Sequence, residues 1–152
     1  MNHRTPQPLA RQEVLSVRLH PSRTGARLAR ELAALWLSGG TATRAVTGDA
    51  LQVVAELAAN AAVHGRVPGR FFLLTLRLTS ADSVLRIEAT DTRPDRLPTP
   101  QTPPTDSESG RGLLIVKALA ARWGVTEGPT PRKTVWAELD LAPERDHPGP
   151  TD

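Results

Sequence analysis

A carboxylate, an amide and an imidazole recur at four-residue spacing within the run Leu51 to Gly65, LQVVAELAANAAVHG. At about 3.6 residues per turn, Glu56, Asn60 and His64 fall on one stripe of a helix. Their neighbours, including Leu51, Val53, Val54, Leu57, Ala58, Ala61 and Ala62, are apolar almost without interruption. Polar groups in such a helix are expected to be partly buried, which is unfavourable unless something satisfies them, so a bound ligand is one candidate partner. The alternatives are solvent for Glu56, a neighbouring carbonyl for Asn60, and for His64 a place at the helix end before Gly65, where a basic side chain suits the dipole.

Two later stretches carry chemistry of the same kind. In Val84 to Asp91, alternation puts Leu85, Ile87 and Ala89 on one strand face together with Asp91. A carboxylate aimed at the core needs a donor, which a ligand could supply; capping of the following turn is the other role open to it. Further on, Ser109-Gly110-Arg111-Gly112 precedes the amphipathic segment Leu113 to about Arg122. A glycine-rich turn opening a helix offers N–H groups and a positive dipole end to phosphate, although two glycines by themselves are a weak signal.

The elements that must position these residues follow from pattern and punctuation. Glu13 to His20 alternates as a strand, and Pro21-Ser22 starts a helix that runs through Leu37 to the stop at Gly39-Gly40. A long helix from about Arg44 to His64 carries the polar stripe. Phe71 to Thr79 and Val84 to Asp91 read as a hairpin, and Trp123 to Glu127 and Lys133 to Leu141 as the last two strands, with Val135, Ala137, Leu139 and Leu141 in phase. Trp36, Trp123 and Trp136 are expected to pack. The order β, α, α, β, β, α, β, β implies an α+β fold, a two-layer α/β sandwich whose mixed sheet carries its helices on one face.

One domain is expected over residues 13–141, between a flexible arm at 1–12 and a flexible tail at 142–152. Within it, 92–110 holds Pro94, Pro98, Pro100, Pro103 and Pro104 and reads as a lid. The chain has 152 residues and no cysteine, which excludes disulfides and thiolate chemistry and fits a reducing cytoplasm. No apolar run of about 20 residues is present to cross a bilayer, so no membrane partner is expected. Net charge is +3, but arginines are scattered and aromatics make up 3%, so no basic stripe or stacking platform points to direct nucleic-acid binding.

Taken together, the run Glu56-Leu57-Ala58-Ala59-Asn60-Ala61-Ala62-Val63-His64-Gly65, the inward Asp91, the long lid, and Gly110-Arg111-Gly112-Leu113 followed by Arg122-Trp123-Gly124-Val125 resemble the GHKL superfamily of ATP-binding domains, which have the Bergerat-type fold. The likeness is greatest to the branch of anti-sigma-factor serine/threonine protein kinases and extends over about Val14 to Leu141.

The resemblance implies ATP and Mg2+ as cofactors. It makes Asn60 a magnesium ligand, Glu56 the general base toward a protein hydroxyl or water, and Asp91 the acceptor of the adenine amino group. Gly110, Arg111, Gly112 and Leu113 would lie at the phosphates, and His64 would contact phosphate or lid. It also implies a sigma factor and an anti-anti-sigma-like protein as partners, phosphorylation of the latter, and a homodimer. Where the superfamily carries glycines after the aspartate, this chain has Arg93 and Asp95. Glycine lets backbone approach a ligand closely, so an altered pocket floor and weaker nucleotide binding are expected. The alternative function is a non-catalytic, nucleotide-dependent binding switch of the same fold.

Overall fold

A computed structural model describes residues 12–40, 43–63, 70–91, 108–129 and 132–141, with the side chains of 108–110 outside that description. The first strand, β1 (Gln12–Leu19), leads into helix α1 (Arg23–Ser38). Ser22 caps this helix, its Oγ accepting the Gly25 N–H at 3.0 Å. The turn before it is tight: a methyl group on Gly25 would lie 1.9 Å from the His20 carbonyl oxygen.

A short 3-10 turn (Arg44–Val46) precedes helix α2 (Thr47–Val63). The buried Thr43 ties this junction, donating to the Leu37 carbonyl at 3.2 Å, and the Thr43 carbonyl accepts the Thr47 hydroxyl at 2.8 Å. Helix α2 packs against α1, the third helix and the sheet, which is why it is apolar nearly all round. Ala50, Val53, Val54, Leu57, Ala58, Ala61 and Ala62 are buried.

Strands β2 (Phe72–Thr79) and β3 (Val84–Asp91) form the hairpin, helix α3 covers Glu108–Leu119, and β4 (Arg122–Glu127) and β5 (Lys133–Asp140) complete a five-stranded sheet in the order β1-β2-β3-β5-β4. The sheet is antiparallel throughout, not mixed. Helix α3 does return the chain so that β3 and β4 point the same way, but β5 inserts between them and pairs antiparallel with both. The α+β class and the two-layer arrangement are as the element order implied.

The helix-facing side of the sheet is apolar: Phe72, Leu74, Leu76, Leu85, Ile87, Ala89, Val135, Ala137 and Leu139 join the core. The opposite side carries a row of charge across four strands, with Arg77 to Glu88 at 3.0 Å, Arg86 to Glu138 at 3.2 Å, Arg122 Nε to Glu138 at 2.9 Å, and Arg122 again to Asp140. The Arg86 guanidinium also stacks 4.3 Å above the Trp136 ring. That indole crosses Gly124, where a methyl group would lie 2.8 Å from Trp136 Cζ2, so Trp136 packs as expected. No described helix is long and apolar enough to cross a membrane.

Candidate functional site

Glu56 and Asn60 are half-buried on successive turns of α2, and His64 lies outside the described residues. The Glu56 carboxylate has a neighbour at each oxygen. Gln52, one turn earlier, donates from Nε2 to Oε1 at 2.8 Å. From the other side comes the Gly112 backbone, so close that a methyl group there would stand 2.7 Å from Oε2 and 3.7 Å from Cδ. The spacing of Gln52 extends the stripe by one turn, which is the signal that makes it legible in the sequence.

Gly110, Arg111 and Gly112 are wound into α3, which begins at Glu108 instead of opening at Leu113. The helix also ends earlier than expected, because Arg122 belongs to β4, where its guanidinium meets Glu138 and Asp140. The first four N–H groups of a helix have no acceptor within it, so with α3 beginning at Glu108 the anion-attracting end runs from 108 to 111, next to Gly112. Arg111 is exposed and Gly112 buried, while Leu113, 2% exposed, is anchored in the core. Among the described residues, then, the acid on α2 and the glycine segment on α3 meet directly.

Asp91 is 4% exposed, as its phase on β3 required. It has a donor within the protein: its cross-strand neighbour is Lys133, and Lys133 Nζ lies 3.5 Å from Asp91 Oδ2. Lys133 is 2% exposed. Extending the phase of Val135, Ala137 and Leu139 by two residues puts this lysine on the apolar face, so the strand pattern already contained it. A lysine and an aspartate buried side by side offset part of each other's desolvation cost.

No group of three or more His, Asp or Glu side chains that could hold a metal occurs among the described residues. The half-buried Asn60 amide is suited to Mg2+, an ion that takes few protein ligands and completes its shell with phosphate oxygens and water. Of the expected lid at 92–110, residues 92–107, with Arg93 and Asp95, lie outside the described residues and 108–110 belong to α3; the tail at 142–152 also lies outside them, as does the arm apart from Gln12.

A five-stranded antiparallel sheet thus lies under three helices, with an acid and an amide on the central helix and a glycine segment packed on the acid. The chain belongs to the histidine kinase-like ATPase domain family, whose model matches residues 20–138. The family implies ATP binding. Among solved structures, the chain is similar to the RsbU and RsbW domains of Rv1364c from Mycobacterium tuberculosis, with a TM-score of 0.64 and 18% identity over 85% of this chain. It spans 32% of the length of that chain, and at this identity the likeness is one of fold. No curated protein matches the sequence.

Proposed function

We propose that the chain binds ATP with Mg2+ and acts as a regulatory serine/threonine protein kinase on an anti-anti-sigma-like protein, alternately holding a sigma factor. The observation that carries this is the contact between the Glu56 carboxylate and Gly112, which brings a base to the segment suited to phosphate. In the transfer step the γ-phosphorus to bridging-oxygen bond breaks as the substrate hydroxyl oxygen bonds to phosphorus. Glu56 accepts the hydroxyl proton, and ADP leaves.

Other roles follow from place and chemistry. Asn60 ligates Mg2+, which offsets charge on the phosphates when it is bound. Asp91 accepts from the base, and Gly110, Arg111, Gly112 and Leu113 support the phosphates, with His64 at the phosphate or lid. The protein would work in the cytoplasm as a homodimer, with residues 13–141 as the nucleotide-binding unit and 92–110, whose last three residues form the first turn of α3, as its lid.

A second function has its own support. Lys133 already satisfies Asp91, and Arg93 and Asp95 stand where the superfamily carries glycine, which favours a nucleotide-dependent binding switch that transfers no phosphate. Transfer of radiolabelled γ-phosphate to the cognate partner separates the two. The kinase function requires transfer that falls by about 100-fold or more in Glu56→Ala; binding without any Glu56-dependent transfer selects the switch.

A further inference from the structure

Gln52 has no part in the function just proposed, yet its amide occupies one oxygen of the proposed base. Its Nε2 donates to Glu56 Oε1 at 2.8 Å, from one turn earlier on α2. The other oxygen, Oε2, is the one that stands over Gly112 of α3. These contacts distinguish the oxygens: Oε1 is engaged within α2, and Oε2 faces the segment suited to phosphate.

Stability does not account for the pair. Gln52 is exposed and its bond to Glu56 lies at the surface, where a side-chain pair at i and i+4 adds little to a helix. A glutamate, in contrast, has several rotatable side-chain bonds and loses much of its freedom when one geometry is imposed on it. A base left to turn spends little time with an oxygen at the reacting proton, and rates fall steeply with such misplacement. A neutral amide is also the donor suited to the task. A lysine or arginine at 52 would set a full positive charge on the carboxylate, in competition with the proton it has to accept.

We infer that Gln52 is a positioning residue, which holds Glu56 by Oε1 so that Oε2 takes the proton of the attacking hydroxyl. The inference rests on the role of Glu56 proposed above. With water as the acceptor, the water oxygen bonds to the γ-phosphorus as the bond from that phosphorus to the bridging oxygen breaks. Glu56 Oε2 accepts the proton, and ADP leaves. Gln52 keeps its own protons throughout.

The test measures release of inorganic phosphate from ATP radiolabelled in the γ-phosphate, with Mg2+ and water as the acceptor. It compares the wild type, Gln52→Met, which keeps the side-chain length without the donor, Glu56→Ala, and the double variant. In Gln52→Met, kcat should fall by about tenfold, with KM for ATP within about twofold and the melting temperature within about 2 °C of the wild type. In the Glu56→Ala background the same substitution should change nothing further, because a residue that acts through another has no effect once that other is removed. An unchanged kcat in Gln52→Met leaves an ordinary surface pair and overturns the inference while Glu56 keeps its role. Losses that multiply in the double variant, or a loss confined to KM, overturn it too, by giving Gln52 a contact of its own with the nucleotide. If Glu56→Ala releases phosphate as fast as the wild type, or the wild type releases none, the role of Glu56 is overturned and the inference falls with it.

Discussion

Glu56 and Gly112 are in contact across the α2–α3 interface, with the carboxylate Oε2 where a side chain on residue 112 would have to begin, 2.7 Å from an ideal Cβ. The obstacle is the far end of a flexible side chain, so Gly112→Ala has little structural penalty, and alanine is favoured over glycine in a helix by up to about 1 kcal/mol. Thermal stability should therefore hold or rise slightly. The displaced carboxylate would leave Gln52, and phosphate transfer should fall by about tenfold or more, since a misplaced base loses much of its effect. Melting curves and transfer rates on the same preparation check this; a stable variant with full activity would separate Glu56 from its proposed task.

Gly25 provides the contrast. There the virtual Cβ meets the His20 carbonyl oxygen at 1.9 Å, and backbone cannot swing aside as a carboxylate does. Gly25→Ala should lower stability by about 3 kcal/mol, the upper end of ordinary overpacking, measured by urea unfolding.

The Asp91–Lys133 pair makes a prediction about coupling. Asp91→Ala removes the carboxylate beside a buried ammonium and should cost about 3–5 kcal/mol, whereas the double variant Asp91→Ala, Lys133→Met removes both charges and should recover most of that loss. Denaturant unfolding of the two single variants and the double variant closes the cycle. Additive losses would mean that the two side chains are not energetically paired.

On the outer face, the hydrogen bond from Arg122, aided by Arg86, holds the Glu138 carboxyl below its usual value of 4.5. A carboxyl whose folded value is depressed contributes stability above its unfolded value, and that contribution disappears as pH falls through the folded one. The wild type should therefore exceed Arg122→Ala in stability at neutral pH, with the gap closing progressively below pH 4.5 and narrowing in high salt. Melting temperatures across that range would show it; a gap that widens in acid would reverse the sign.

Much of this arrangement is legible in the chain, and the exceptions have physical causes. Alternation in β3 places Asp91 among Leu85, Ile87 and Ala89, and the structure buries it with them. The same alternation in β5 reaches Lys133, but a lysine at a strand's first position reads as solvent-exposed until its cross-strand partner is known. Register is a property of two strands, not of one. The antiparallel sheet likewise depends on β5 entering between β3 and β4, which local pattern does not encode. Glycine marks helix starts and stops equally well, so the winding of Gly110 to Gly112 into α3 required the packing against Glu56 to be seen. Helix α2 was the most legible element, because its length and apolar surround agree from Thr47 to Val63.

Every role proposed for the site requires binding of ATP with Mg2+ by the helix α2 stripe. Calorimetric titration of ATP into the wild-type protein, with and without Mg2+, and into Asn60→Ala tests it. One ATP per chain is expected for the wild type, bound about tenfold or more weakly when either Mg2+ or the Asn60 amide is removed. No heat of binding for the wild type at millimolar ATP, or binding indifferent to both Mg2+ and Asn60, would contradict it.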